Sequence, residues 1–206
     1  MSKVFFSVTM SLDGFIAPEW RSDEQWIQQW MGLQDYALHQ KFLRENLKIG
    51  EGGETGVDNT ILESTFRRTG VSIMGKRMFD AGEHRWPEEA PFHSPVFVLT
   101  HQPRAPWERP GGTVFHFVND GIESALRQAR SVARGKDIRI AGGAHTIRQY
   151  LQAGLVDEAH IALAPVLLGE GIRLFDRIDP QTLTLAITEA VHSPRVTHLR
   201  YAVTRR

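Results

Sequence analysis

Apolar positions in the first quarter of the chain follow two different rhythms. Val4, Phe5, Phe6 and Val8 form a β run that closes at "SLDGF", where Asp13-Gly14 carries turn chemistry. From Pro18 to Gly56 the rhythm turns helical. Ser22-Asp23-Glu24-Gln25 matches a capping box, and Trp26, Ile27, Trp30 and Met31 follow at the spacing of one helix face. A second helical pattern, with Tyr36, Leu43 and Leu47 near one stripe, covers residues 35–48 and dissolves into "GEGGETG", a segment expected to be mobile.

Beyond that segment strands and helices alternate. Asp58 or Asn59 is the expected cap of a helix that turns Ile61, Leu62, Thr65 and Phe66 inward and ends at Gly70. The strand Val71–Met74 follows, with Gly75 opening "GKRMFDAGEHRW". Val96–Thr100 is an almost unbroken apolar run, as a strand covered on both faces requires. After a proline-rich loop comes Thr113–Val118. Asn119 and Asp120 are the expected caps of a helix bearing Ile122, Leu126, Ala129 and Val132, stopped at Gly135. Ile138 and Ile140 then lead through Gly142-Gly143 into a helical pattern carrying Ile147 and Leu151. Beyond Gly154 only β runs remain, at Ala159–Pro165, Leu183–Val191 and Val196–Val203, with Ser193-Pro194 turning the last pair. The class is therefore α/β: a mainly parallel sheet flanked by helices and closed by a C-terminal antiparallel hairpin.

Composition narrows the function classes. A chain of 206 residues supports one sizeable core, so residues 1–206 are read as a single domain with residues 18–56 as an insert. Twenty-four cationic residues balance 24 anionic ones with no dense basic run, which argues against nucleic acid. The absence of cysteine removes disulfides, thiolate nucleophiles, iron–sulfur clusters and cysteine-held zinc. Asp13 interrupts the early apolar run, so no signal peptide is expected. No window is apolar for long enough to span a bilayer, and a soluble, cytoplasmic protein is the expectation.

Candidate chemistry lies where parallel strands end, since open α/β sheets take ligands beyond those ends. The glycine pair at 142–143 has two readings: bare N–H groups at a helix start that suit an anion, or a tight turn that needs glycine. Met74-Gly75-Lys76-Arg77 and Thr100-His101-Gln102 occupy the corresponding places on two other strands. Singly, each is explained as well by a solvated face, a surface histidine or a strand stop. Their recurrence at successive strand ends favours a dinucleotide, with cations beside an extra ribose phosphate. Competing motifs are missing. No G-x-G-x-x-G follows a strand, Arg77 stands where a P-loop needs serine or threonine, and there is neither an H-E-x-x-H metal pair nor a G-x-S-x-G elbow.

The succession "SLDGFIA", "VSIMGKRMF", "VFVLTHQ" and "IRIAGGAHTIRQYLQAGLVDEAHIALAPVLLGEGIRLF" resembles the dihydrofolate reductase-like family, which includes the reductase domain of the bifunctional riboflavin-biosynthesis deaminase–reductase. The resemblance covers nearly the whole chain. It implies a three-layer fold on a central sheet of about eight strands. It also implies an NADPH-dependent oxidoreductase, of dihydrofolate reductase or phosphoribosylaminouracil reductase type, acting on a pterin- or pyrimidine-like ring. By resemblance, Gly75, Lys76, Arg77 and Met78 lie at the adenosine-side phosphates, and Thr100 and His101 flank the adenosine ribose phosphate. Gly142, Gly143, Ala144, His145 and Thr146 wrap the pyrophosphate and nicotinamide side, while Val8, Ile16 and Ala17 border the nicotinamide. Asp58 matches the carboxylate that holds the substrate ring and assists its protonation; it can equally be a helix cap, and Glu63 is the reserve. The insert is longer than the mobile loop of dihydrofolate reductases and carries Trp20, Trp26 and Trp30, which can stack on a planar substrate or pack in a core or dimer. These 206 residues hold no cysteine for a deaminase zinc and no H-x-E paired with P-C-x-x-C, so no deaminase half and no metal site are expected. A homodimer is expected. The contrasting hypothesis is a non-catalytic nucleotide-binding protein that keeps the fold.

Overall fold

Strands covered on both faces have no polar side to show water, so the apolar runs gather at the middle of one sheet. The computed structural model describes residues 2–206. The first half of the chain contains β1 (Val4–Ser11), β2 (Phe15–Ala17), α1 (Asp23–Leu33), α2 (Asp35–Leu38), α3 (Lys41–Leu47), α4 (Val57–Arg68), β3 (Thr69–Gly75), α5 (Lys76–Glu83) and β4 (Pro95–Leu99). The second half contains β5 (Trp107–Glu108), β6 (Val114–Val118), α6 (Ile122–Val132), β7 (Asp137–Gly142), α7 (Ala144–Gln152), β8 (Glu158–Ala164), β9 (Ile172–Arg173), β10 (Leu183–His192) and β11 (Thr197–Arg205).

The main sheet has nine strands in the order β10-β11-β8-β1-β7-β3-β4-β6-β5. The six from β8 to β6 are mutually parallel. β11 runs antiparallel on β8 with β10 outside it, as the C-terminal hairpin pattern predicts. The strand beyond the expected eight is β5, two residues pairing antiparallel at the far edge. The reading of β4 is borne out at side-chain level. Phe97 enters the cluster with Ile138, Ile140, Ile147 and Leu151, whereas Val96 and Val98 enter a second cluster with Phe79 and Phe115. Helices α6 and α7 cover the first face, and α5, α4 and the insert helices cover the other.

Three terminal signals were misplaced by the local pattern. Helix α4 is capped by Gly56, not by Asp58 or Asn59; Asn59 Oδ1 instead accepts the Phe42 amide at 2.7 Å. Gly121, at φ +97°, precedes α6 in place of Asn119 or Asp120. Gly70 lies in β3 and ends no helix, and a Cβ there would fall 2.6 Å from the Ala133 carbonyl oxygen. The expected cap at Ser22 is present, accepting the Gln25 amide. The "GEGGETG" segment is anchored at Glu54, whose backbone bonds to His39 and Lys41 and whose carboxylate pairs with Arg195 at 2.8 Å. No helix among the described residues is long and apolar enough to cross a membrane.

Candidate active site

Two junctions predicted from sequence meet at one place. Met74 is the β3 neighbour of Gly142, so the ends of β3 and β7 stand side by side, and β4 follows immediately with Gly75 opposite Leu99. Helices α5 and α7 therefore start next to each other, on Gly75 and Gly143, and neither has a side chain capping its first-turn N–H groups. Those groups are left for an anion and for the positive end of the helix dipole to hold it. Glycine is required for space as well as for conformation. A Cβ on Gly75 would sit 2.5 Å from Thr146 Oγ1 and 3.9 Å from the Gly143 nitrogen, while Gly142 adopts φ +130° with Met78 Sδ 3.0 Å from where a Cβ would lie. The pair is thus a tight turn, and it leaves the space before two helix starts clear of side chains.

The other predicted residues surround this cleared floor unequally. Arg77, His101 and His145 are exposed, and Arg77 makes no ion pair among the described residues. Lys76 is engaged with Asp80 one turn along α5 and lies over the Phe79 ring. Thr100 spends its hydroxyl on the Gln102 amide at 3.0 Å, so its role is to shape the turn after β4. Ala144 and Thr146 are buried at the start of α7. Val8 lies two residues past Phe6, whose β7 partner Ile140 is the last residue of the β1–β7 pairing. Ile16 and Ala17 belong to β2, which pairs with β9.

A carboxylate bolts that small sheet to β1. Asp13 accepts the Gly169 amide at 2.7 Å and the Leu168 amide at 3.1 Å, and takes the Ser11 hydroxyl at 2.5 Å. The Ser11 hydroxyl bond lowers its pKa. "SLDGF" and "LLGEGIRLF", far apart in sequence, are one structural unit.

Asp58 lies in the first turn of α4, only 4% exposed, and both of its oxygens are occupied. His198 Nε2 donates to Oδ1 at 2.8 Å and the Ser193 hydroxyl donates to Oδ2 at 2.8 Å. Beyond His198 the contacts continue. His160 Nε2 is 3.0 Å from His198 Nδ1, and the Ser7 hydroxyl is 2.8 Å from His160 Nδ1. Strand register explains the alignment, because Ser7 is the β1 neighbour of His160 and His198 the β11 neighbour of Ala162. Burial pushes the His160 imidazole down to about 3, with the neighbouring His198 acting in the same direction, so His160 is neutral. Tyr36 of α2 meets the His198 ring edge-on at 5.7 Å, and burial holds its phenol up to about 12.

The same face carries Arg139, opposite Phe5 on β1. Its guanidinium stacks on Phe66 at 5.2 Å and reaches the Ser7 carbonyl at 3.4 Å, but its Nε has no partner and it makes no ion pair among the described residues. Desolvation lowers it to about 10. Glu63, the reserve carboxylate, faces away and pairs with Arg67. The aromatic insert residues split: Trp26 and Trp30 stack on each other at 6.1 Å, and Trp20 is exposed. Ser7, His160, His198 and Arg139 were not singled out by sequence. The available signal was weak: each is one of several polar residues interleaved with apolar ones in its strand.

Comparison with known proteins bears on the family and the fold. A 59-residue stretch is 42% identical to the uncharacterized protein YyaP of Bacillus subtilis, spanning 29% of this chain and 31% of that relative; the matched parts of the curated relatives are about a third of their length. A riboflavin-biosynthesis-type protein of Shewanella sp. PV-4 superposes over 100% of this chain and 99% of its own, with TM-score 0.65 at 21% identity. The dihydrofolate reductase of Enterococcus faecalis, solved with NADP(H), superposes over 99% of this chain and 96% of its own, with TM-score 0.55 at 14% identity. Both likenesses concern the fold. The family model described as the RibD C-terminal domain matches residues 2–199, and the chain belongs to that family.

Proposed function

We propose that this protein is an NADPH-dependent reductase of a pterin-, pyrimidine- or related ring compound, working in the cytoplasm as a homodimer. The observation that carries the reading is the adjacency of the Gly75 and Gly142 junctions, where two uncapped helix starts face one cleared floor. A pyrophosphate suits that arrangement because backbone N–H groups supply donors with no side chain in the way. Arg77 and His101, exposed at the ends of adjacent strands, are available to a further phosphate on the adenosine ribose. Val8, two residues beyond the last β1–β7 pair, is the apolar surface against which a nicotinamide lies. When bound, the dinucleotide supplies a hydride.

The chain's own residues have the remaining tasks. They align the ring with the hydride donor and manage one proton. The β1 face toward α4 offers Ser7, Arg139 and the Asp58 chain, a set that matches a ring bearing carbonyl or anionic acceptors and a protonatable nitrogen. The non-catalytic alternative draws on the inward-turned carboxylate of Asp58, which is filled by its own neighbours.

Tryptophan quenching on titration with NADPH tests the cofactor half of the proposal, and loss of NADPH absorbance with oxidised pterins, pyrimidines and quinone-like rings tests the chemistry. Quenching with turnover of one ring class supports the proposal. Quenching without turnover of any ring favours the non-catalytic alternative, and no quenching overturns both.

A further inference from the structure

We propose that Ser7, His160, His198 and Asp58, the last held by Ser193, form a two-state proton wire across one face of the sheet, which takes up a proton at Ser7, holds it at Asp58 and returns it through Ser7 to a substrate ring. The inference rests on the reductase reading for its substrate, but the wire itself stands on geometry alone. Four consecutive contacts, of 2.8, 2.8, 3.0 and 2.8 Å, join the five side chains. The three inner residues are almost sealed from water, at 4% for Asp58, 1% for His198 and 7% for His160. Only the end residues, Ser7 and Ser193, are half-buried.

The donor and acceptor roles are fixed by the carboxylate. An ionised Asp58 can only accept, so His198 must carry its hydrogen on Nε2 and accept on Nδ1. His160 then donates from Nε2 and accepts the Ser7 hydrogen on Nδ1. Every link points toward Asp58. If Asp58 takes a proton, each link can reverse without moving a heavy atom. Asp58 donates to His198 Nε2, His198 Nδ1–H to His160 Nε2, and His160 Nδ1–H to Ser7 Oγ, which frees the Ser7 O–H for a ligand. The two states differ by one proton and by the tautomer of two imidazoles.

The reduction balances over this cycle. As a ring carbon of a C=N bond accepts a hydride, the π electron pair moves to nitrogen, and nitrogen takes the Ser7 hydrogen. Ser7 is refilled by His160, His160 by His198, and His198 by Asp58, which returns to carboxylate. The reset runs the other way: His198 gives its Nε2 hydrogen back to Asp58, His160 gives its Nε2 hydrogen to His198, Ser7 gives its hydrogen to His160, and Ser7 takes a new proton from water in the site. On this account Ser7 is the catalytic acid, and Asp58, His198 and His160 are positioning residues that act through it. Neutral His160 passes the proton without storing charge, since burial depresses its basicity and Arg68 of α4, Arg139 of β7 and Arg200 of β11 also disfavour a cation there. Tyr36 of α2 packs on the His198 ring, and its phenol remains protonated.

The first test needs neither cofactor nor substrate. The ring nitrogens of 15N-histidine-labelled full-length protein report which nitrogen of each imidazole holds hydrogen. Above neutral pH both His160 and His198 are expected as Nε2–H tautomers. On acidification both should switch to Nδ1–H together, and Asp58→Asn should shift the two rings jointly. Independent titration of the rings, or a switch in one ring alone, overturns the wire. Ser7→Ala, checked for an unchanged melting curve, should retain NADPH quenching and lose about 10²-fold in turnover, the scale of a general acid. A concerted switch with full Ser7→Ala turnover would remove Ser7 as the acid. A concerted switch with no NADPH quenching would leave the wire intact and sink the reductase reading instead.

Discussion

At the scale of single residues, the buried polar face of the sheet sets the sharpest expectations. His160 titrates near 6.5 when unfolded and at about 3 in the fold, so between those values the unfolded chain binds a proton that the native state refuses. Stability from this residue is therefore whole above pH 6.5 and is lost as pH falls toward 3, by up to about 1.4 kcal/mol per unit. Chemical denaturation of His160→Gln at pH 7 and pH 4.5 checks the sign, because the variant should show the shallower acid loss. Arg77 makes no ion pair among the described residues and stands beside an uncapped helix start. Arg77→Ala should weaken NADPH by about 1.5 kcal/mol, roughly tenfold, and leave NADH unchanged, as titrations with both cofactors would show. Most of these residues were legible only in part. Arg77 stood out because it follows a glycine at a strand end. His160 and His198 are 38 positions apart and become neighbours through the β8–β11 pairing, while Asp58, 140 positions from His198, meets it because α4 packs on that face of the sheet.

Among elements, strand–glycine–helix junctions were readable because each part has its own local signal: an apolar run, a glycine, then a stripe of the helical period. Of the helix starts, the Ser22 cap of α1 was readable and those of α4 and α6 were not. Asp58-Asn59 and Asn119-Asp120 carry the preferred capping residues, yet Gly56 and Gly121 hold the cap positions. Tertiary demands outbid the local preference, since Asp58 is pulled toward His198 and Asn59 toward the Phe42 amide. The Gly75 junction gives a direct test. Gly75 has an ordinary φ of −81°, so alanine there meets only the crowding of Thr146 Oγ1 at 2.5 Å. Gly75→Ala should cost about 1–3 kcal/mol of stability through overpacking and lower NADPH affinity at least tenfold as the floor is filled. Thermal unfolding with and without NADPH separates the two effects; an unshifted melting curve with full affinity would clear the junction of any role.

For the whole molecule, the exposed outer strand is the most consequential feature. β10 is ten residues long, is open along most of its length and presents Ile187 at 70% exposure with Leu185 at 42%. A long edge strand with apolar residues is a liability unless something covers it. A second copy is the occupant we expect, in keeping with the proposed homodimer. Ile187→Glu should shift the sedimentation of a dimer to that of a monomer without altering the helix content seen by circular dichroism. Wild-type protein that sediments as a monomer would reject this assignment.

The sequence by itself determined the α/β class, the parallel core, the closing hairpin and the glycine junctions, because these depend on short-range periodicity and on steric freedom at single positions. It also carried the family likeness in motifs that remain contiguous along the chain. Only the tertiary structure decided that the junctions at Gly75 and Gly142 are neighbours, that Asp13 ties two distant loops, and that Asp58 is turned inward toward two histidines. The physical reason is the same in each case: strand order and register bring remote residues into hydrogen-bond range, and neither is encoded within the few positions over which a local pattern can be read.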